Sequence, residues 1–179
     1  LPIFDQIIGH ESSLKKVISQ AKAAVYYPPS GLHMLLLGQT GTGKTFFAEK
    51  TYEYSQYEGL LSEDAPFKSF NCADYYNNPQ LLMSQLFGYV KGAFTGAESD
   101  REGLVEKANG GVLLLDEVHR LPPEGQEMLF YFIDNGTFNR LGESGVKRHS
   151  KVLMICATTE NPDSALLKTF VKIGRASCR

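Results

Sequence analysis

The segment GQTGTGKT, residues 38–45, decides the fold. It matches the pattern G-x-x-x-x-G-K-[ST], which binds nucleotide phosphates when it joins a buried strand to a helix. Both neighbours are present, because the apolar run HMLLLG (33–38) precedes it and a helical stretch over residues 45–57 follows it. A glycine-rich turn with an exposed lysine is the alternative. The strand and helix on either side favour a phosphate-binding loop, or P-loop.

The P-loop would bind phosphate mainly through its backbone. The predicted cradle comprises Gly38, Gln39, Thr40, Gly41, Thr42 and Gly43. Glycines let this backbone turn so that N–H groups point at phosphate oxygens, and the following helix N-terminus adds partial positive charge. We expect Lys44 to contact the terminal phosphates of ATP and Thr45 to bind Mg²⁺.

Short apolar runs alternate with helical stretches along the chain. The runs typical of strands buried on both faces are 33–38, 67–71, 111–116 and 151–159. The helical stretches are 14–25, 45–57, 79–87 and 123–134. Strands that alternate with helices predict an α/β fold, with a parallel sheet sandwiched between helices.

An acidic pair ends the run GGVLLLDE, residues 110–117. The apolar residues deliver Asp116 to the carboxyl end of a buried strand, where open α/β sheets bind their ligands. We expect Asp116 to hold Mg²⁺ and Glu117 to orient or deprotonate an attacking water. A cap on the following helix is the alternative. A kinase or a simple GTPase would leave Glu117 without a role, so ATP hydrolysis is favoured.

Composition narrows the classes of function. The 179 residues carry a net charge of −2, so no overall basic field favours non-specific binding to nucleic acid. Cys72, Cys156 and Cys178 are odd in number and widely spaced, which indicates neither a disulfide framework nor a zinc site. No apolar run approaches the roughly 20 residues of a membrane span. These features favour a reduced, cytoplasmic setting without membrane association.

The last seven residues, IGRASCR (173–179), differ in character from the rest. They are what one reading frame of a common sequencing-library adapter encodes. We therefore interpret 173–179 as a non-native tail and exclude it from fold reasoning. A native loop of small residues is the alternative. The first residue is Leu1 rather than Met, which favours a piece of a longer protein.

Four motifs in this order resemble a known family. They are the P-loop, NCAD (71–74), GAFTGA (92–97) and LLLDEVHRLP (113–122). Together they resemble the AAA+ domain of bacterial enhancer-binding proteins, the activators of sigma-54 RNA polymerase. The resemblance implies an AAA+ P-loop NTPase core over 1–172, with the C-terminal helical lid missing. The stretches GHESSLKKVI (9–18), HRLPPEGQEMLF (119–130) and ATTENP (157–162) look like the LevR branch, activators of sugar phosphotransferase operons.

The resemblance implies further residues around the nucleotide. Asn71 matches the asparagine that holds the catalytic glutamate inactive, so Asn71 and Glu117 would form a switch pair. The alternative is a strand-end asparagine that accepts a turn N–H. Ile7 and Ile8 match the lining of the adenine pocket, with core packing as the alternative.

Thr159 departs from the family pattern, and His119 has no role in it. Thr159 occupies the position of the sensor asparagine of most relatives. Its hydroxyl can still contact a phosphate or the attacking water, but the departure puts the sensor role in doubt. His119 follows the acidic pair, and we interpret it as a neighbour of the site or a surface residue rather than a catalytic group.

The resemblance assigns the sigma-54 contact to the GAFTGA loop, which comprises Gly92, Ala93, Phe94, Thr95, Gly96 and Ala97. Phe94 would be an exposed contact, with Thr95 beside it and the two glycines as flexible joints. A packed turn that hides Phe94 in the core is the alternative. FNRLGES (138–144) matches the second surface loop, in which Arg140 would couple the two loops. A solvated hairpin arginine is the alternative there.

The resemblance implies a mechanochemical ATPase whose subunits form a ring, which we expect to be a hexamer. Hydrolysis would move the GAFTGA loops against sigma-54 and RNA polymerase, while promoter-upstream DNA and phosphotransferase proteins would bind domains outside this chain. Arginine fingers are expected just after LLKTF (166–170), but there the sequence runs into the tail that we interpret as non-native. We therefore expect this chain alone not to be a competent ATPase.

Two other classes of function remain open at this point. They are an AAA+ protein-remodelling ATPase of another branch and a nucleotide-gated module without turnover. The GAFTGA string argues against the first. The intact Lys44, Asp116 and Glu117 argue against the second, whereas Thr159 at the sensor position leaves it open.

Overall fold

A computed structural model describes residues 3–165 of the chain. The strands are β1 (Met34–Leu37), β2 (Phe67–Asn71), β3 (Gly88–Tyr89), β4 (Arg101–Glu102), β5 (Val112–Asp116), β6 (Thr137–Phe138), β7 (Arg148–His149) and β8 (Leu153–Thr158). The α-helices are α1 (Lys15–Tyr26), α2 (Lys44–Tyr57), α3 (Pro79–Phe87), α4 (Leu104–Lys107), α5 (Pro123–Asn135) and α6 (Pro162–Ala165). Single-turn 3-10 helices cover Ile3–Gln6, Cys72–Tyr75 and Val118–Arg120.

Four strands form one parallel sheet in the order β1-β8-β5-β2. Its register pairs Leu37 with Thr158 and Asn71 with Asp116. Every neighbouring pair in this sheet is parallel. The predicted parallel α/β sheet is therefore confirmed, and all four strands end at the same edge.

Successive side chains of the central strand β5 are buried on opposite faces of the sheet. Val112 and Leu114 of β5 contribute to a core beneath α1 and α2. Leu113 and Leu115 contribute to a second core beneath α3 and α5. All four side chains are almost fully buried. Because successive strand residues point to opposite faces, a continuous apolar run is what a sheet covered by helices on both sides requires.

Local signals set the helix boundaries near the functional loops. Asn78 caps α3 by accepting the Leu81 N–H at 3.0 Å, and Pro79 occupies the first helical position. The second long helix of this face, α5, also begins at a proline. It ends at Gly136, whose φ of 68° is the left-handed conformation that favours glycine.

The antiparallel strand pairs β3-β4 and β6-β7 were not predicted from the sequence, because each of these strands is two residues long and shows no periodicity. The adapter-like tail at 173–179 and the expected arginine positions after residue 170 lie outside the described residues. Within residues 3–165, no helix combines the length and the apolar character needed to cross a membrane.

The two consecutive leucines of α3 provide a matched test of the core. Leu82 is 0% exposed and Leu81 is 38% exposed. We expect Leu82→Ala to lower the free energy of unfolding by about 2–5 kcal/mol, because it leaves a cavity in the core. Leu81→Ala should lower it by less than about 1 kcal/mol. Urea denaturation measures both, and equal losses would contradict the assigned packing of α3.

Candidate functional site

The predicted site residues meet at one edge of the parallel sheet. Gly38 follows β1, and its N–H donates to the Thr158 carbonyl at the end of β8 at 3.3 Å. Asp116 and Asn71 end β5 and β2 and are register partners. Since parallel strands share the direction of their carboxyl ends, the register alone brings these four positions together.

The P-loop joins β1 to α2 and exposes most of its residues. Gly41 and Gly43 have φ angles of 81° and 80°, a region that side-chain-bearing residues rarely adopt. Lys44 is half-buried, and its Nζ donates to the carbonyl oxygens of Gly38 at 2.7 Å and Gln39 at 2.8 Å. The lysine is therefore folded back over the loop, where its charge faces the cradle.

The residues of this loop fit a nucleotide phosphate. Gly43 precedes α2 and has no side chain with which to cap it, and the first turn of α2 carries no acidic residue. The N-terminal N–H groups of α2 and its dipole are thus left available to an anion. The Thr45 hydroxyl and the Asp116 carboxylate are hard oxygen ligands, the type that Mg²⁺ prefers.

Glu117 is held in an unusual backbone conformation directly after β5. Its φ of 52° is the one positive φ of a non-glycine residue within the described chain. Its N–H donates to Oδ1 of Asp116 at 2.9 Å. Its own Oε2 accepts from the Thr159 hydroxyl at 3.2 Å and lies 3.4 Å from Nε2 of His119. Strained residues of this kind concentrate at functional sites.

Asn71 makes a local contact in this structure. Its Oδ1 accepts the Ala73 N–H at 3.0 Å and caps the 3-10 helix Cys72–Tyr75. Among residues 3–165, no hydrogen bond joins Asn71 to Glu117, although the two lie at neighbouring strand ends. The switch pair stays a prediction, and in this conformation Asn71 makes the turn contact that is its alternative role.

The two isoleucines predicted to line the adenine pocket lie in different surroundings. Ile7 is buried among Phe4, Phe47 and other residues of the core beneath α1 and α2. Ile8 is 96% exposed. Core packing thus accounts for Ile7, and Ile8 alone offers apolar surface to a ligand.

The GAFTGA loop is folded compactly onto its own base. The Gly92 N–H donates to the Ala97 carbonyl at 2.9 Å, and the Ala97 N–H donates to the Phe94 carbonyl at 3.0 Å. Phe94 is half-buried and packs edge-on against Tyr89, with 4.9 Å between ring centroids. In this conformation Phe94 is neither fully in solvent nor part of the core, because Tyr89 covers one side of the ring, and its contact with sigma-54 stays a prediction. Thr95 is exposed.

The second loop is joined to the base of the first by backbone contacts. The Leu141 N–H donates to the Gly88 carbonyl at 2.9 Å, and the Val90 N–H donates to the Leu141 carbonyl at 3.1 Å. Gly142 approaches the GAFTGA loop so closely that an added Cβ would lie 2.7 Å from Cβ of Ala93. The bases of the two loops are therefore in direct contact.

Arg140 anchors this junction rather than lying in solvent. Its side chain is 9% exposed, and its Nε and Nη2 donate to the two carboxylate oxygens of Glu106 at 2.6 and 2.8 Å. The hydrogen bonds that Arg140 donates to Glu106 raise the pKa of Arg140 above its ordinary value. Arg148 in turn binds Glu143, whose pKa it lowers. The solvated-arginine alternative is wrong, and coupling through Arg140 stays a prediction with a physical contact behind it.

Sequence reasoning missed Glu106 and Tyr89, and it left His119 without a function. Glu106 lies 34 positions before Arg140, and no spacing signal joins them. The side chain of His119 is 7% exposed, so it is not a surface residue. The position of His119, two residues after Glu117, was the one feature of the sequence that indicated a contact between them.

The two cysteines near the site are unreactive. Cys72 and Cys156 are buried and free. Burial raises the pKa of the Cys156 thiol to about 12 and raises that of Cys72 well above its ordinary value. Both thiols stay protonated near neutral pH, so neither supplies a nucleophile.

Comparison with known proteins finds relatives over nearly the whole chain. The family described as "Sigma-54 interaction domain" matches residues 7–173. The transcriptional regulatory protein LevR of Bacillus subtilis is 70% identical over 166 residues, which cover 93% of this chain and 18% of LevR. DagR of Salmonella typhimurium is 52% identical over 169 residues, which cover 93% of this chain and 18% of DagR. The chain thus spans about a fifth of these relatives, and the resemblance to the LevR branch is confirmed.

Solved structures show the same architecture. NtrX of Brucella abortus, crystallised in complex with ADP, superposes with a TM-score of 0.69 at 22% identity. The match covers 89% of this chain and 33% of NtrX. The fold is that of the AAA+ P-loop proteins, a nucleotide-binding fold, as predicted.

A double-mutant cycle tests the loop junction. We expect Glu106→Gln and Arg140→Met to show a coupling energy of about 1.5–3 kcal/mol in urea denaturation. The reason is that each single change leaves a mostly buried charged side chain without its partner. Lys50→Met and Glu53→Gln form the control, since the Glu53 side chain is 44% exposed. That pair should couple by less than about 1 kcal/mol. Equal couplings in the two cycles would show that Arg140 anchors nothing.

Proposed function

The chain belongs to the family of sigma-54 interaction domains, and on this premise we propose that it is the ATP-hydrolysing part of a transcription activator that remodels sigma-54 RNA polymerase. The observation that carries the proposal is the convergence of the P-loop with Asp116 and Glu117 at one sheet edge. The conjunction of this edge with a GAFTGA loop in the same domain distinguishes the proposal from a general AAA+ remodelling ATPase.

The nucleotide would be held by the P-loop and by side chains beside it. The backbone N–H groups of residues 38–45 would bind its phosphates, and Lys44 would exchange the carbonyls of Gly38 and Gln39 for phosphate oxygens. Thr45 and Asp116 would hold Mg²⁺. Ile8 is the apolar side chain available to the adenine. Bound ATP supplies the phosphoryl group that is transferred to water, and Mg²⁺ offsets the charge on its oxygens.

Glu117 would act on the attacking water. Its carboxylate would accept one proton from that water as the water oxygen bonds to the γ-phosphorus, while the bond from that phosphorus to the bridging oxygen breaks and ADP leaves with that oxygen. The Thr159 hydroxyl donates to Glu117 at 3.2 Å, and this contact supports a role for Thr159 beside the same water, in which it would turn its hydroxyl to the water or to a phosphate. An asparagine at this position would offer two amide donors, whereas threonine offers one hydroxyl.

Engagement of sigma-54 would require the GAFTGA loop to rise from its compact state. Gly92 and Gly96 have φ angles of 82° and 95° and flank the segment that would move. Phe94 would leave Tyr89 and become the apolar contact, with Thr95 beside it. The junction at Leu141 and Arg140 supports the proposal that both loops move together. Movement of this kind in a ring, which we expect to be hexameric, would act on the polymerase.

Thr95→Ala in the full-length protein tests the loop assignment. Thr95 is exposed and distant in sequence from the P-loop, so ATP hydrolysis should stay within about twofold of the wild type. Affinity for sigma-54 in the presence of ADP and aluminium fluoride should fall at least tenfold, or about 1.4 kcal/mol. Binding is measured by fluorescence anisotropy with labelled sigma-54.

Ser99→Ala provides the matched control, since Ser99 is also exposed, bears a hydroxyl and lies just beyond the loop. It should change neither quantity. If Thr95→Ala binds sigma-54 as the wild type does, the GAFTGA loop is not the contact. If the wild type neither hydrolyses ATP nor binds sigma-54, the proposed function itself is wrong.

A further inference from the structure

His119 has a mostly buried side chain with a polar neighbour at each ring nitrogen, a hydrogen bond at one and a longer contact at the other. Its Nδ1 lies 2.7 Å from the hydroxyl of Thr158, and its Nε2 lies 3.4 Å from Oε2 of Glu117. Thr158 is 0% exposed. Polar groups with little exposure to water are destabilising unless they have hydrogen-bond partners, so these neighbours matter to the imidazole. The histidine therefore connects the end of β8 to the acidic pair that follows β5.

The Glu117 carboxylate indicates which nitrogen must carry a proton. A carboxylate only accepts hydrogen bonds, so the approach of Nε2 to Oε2 is favourable when Nε2 bears the proton. The Thr158 hydroxyl, which accepts the N–H of Glu160 at 3.2 Å, can donate its own proton to Nδ1.

Two side chains approach the same oxygen of the Glu117 carboxylate. Thr159 donates to Oε2 at 3.2 Å, and His119 faces Oε2 at 3.4 Å. Asn71, the residue expected to hold Glu117, instead accepts the Ala73 N–H. The two side chains thus approach Oε2 from the residue after β8 and from the 3-10 helix Val118–Arg120.

We propose that His119 is a positioning residue for Glu117: ordered by Thr158, its Nε2–H holds Oε2 so that Oε1 is directed to the attacking water. This inference rests on the proposed ATP hydrolysis and deepens it. A misplacement of a reacting group by about 1 Å can lower a rate about 100-fold. Loss of the histidine should therefore impair turnover and leave the binding of nucleotide, which depends on the P-loop, intact.

Three substitutions in the full-length protein separate positioning from packing. His119→Ala removes both contacts. In His119→Asn the amide can keep the contact with Thr158 but is too short to reach Glu117. In His119→Gln the amide nitrogen can stand where Nε2 stands and donate to Oε2. His149→Ala is the matched control, because His149 is exposed on the hairpin strand β7.

We expect His119→Ala and His119→Asn to lower kcat about 10- to 100-fold, with KM and the affinity for a fluorescent ADP analogue within about threefold of the wild type. Affinity for ADP with aluminium fluoride should fall along with kcat, since that complex imitates the transition state. His119→Gln should restore both quantities to within about threefold, and His149→Ala should leave them unchanged.

The outcomes decide between the possibilities. Wild-type kcat in His119→Asn, or equal loss in the Asn and Gln variants, overturns the positioning role. A parallel loss of ADP affinity and kcat would show that His119 merely supports the fold, and this also overturns it. If His119→Ala does not fold, the comparison of the Asn and Gln variants decides alone. A wild-type protein that hydrolyses no ATP overturns the proposed function, and this inference with it.

Discussion

The parallel pairing of β8 with both β1 and β5 is the constraint on which the site depends. It sets Leu37 beside Thr158 and Leu115 beside Cys156, so the loops that follow these strands begin at the same edge. The buried runs of β5 and β8 maintain this register, because a shift by one residue would exchange the side chains of the two cores. The P-loop, the acidic pair and the sensor position thus need no long-range contact of their own to meet. Hydrophobic burial on both faces of the sheet therefore fixes the relative positions of the site residues.

The second organising feature is the junction between the two surface loops. The backbone of Leu141 bonds to both Gly88 and Val90, and Arg140 holds Glu106 with two short hydrogen bonds. This junction is polar and mostly buried, whereas the GAFTGA loop beyond it is held by a few backbone bonds and one aromatic contact. Segments with few buried contacts open at low free energy. The junction at Arg140 and Leu141 is thus more firmly held than the GAFTGA loop. This difference is consistent with the proposal that the loop changes its exposure while the junction stays in place.

Sequence patterns predicted the features that depend on local order. The four core strands and the long helices follow from runs and periodicities of adjacent residues, and the P-loop follows from fixed spacing. Contacts between distant side chains were beyond such patterns: Glu106 with Arg140, Tyr89 with Phe94, and His119 with Thr158. A family pattern also indicated Asn71 as the partner of Glu117, whereas in this chain Thr159 and His119 occupy the partner positions. The rotamer of one carboxylate depends on the surrounding fold, which no spacing in the sequence encodes.

The central claim is that the state of the nucleotide site controls the GAFTGA loop. Hydrogen–deuterium exchange of the full-length protein tests it most directly, because the N–H groups of Gly92 and Ala97 are bonded within the compact loop. The account predicts at least about tenfold faster exchange over residues 92–97 with ADP and aluminium fluoride than with ADP alone, as expected when those bonds open. Protection of residues 38–45 in both states would confirm that nucleotide is bound. Equal exchange of the loop in the two states, with the P-loop protected in both, would contradict the claim.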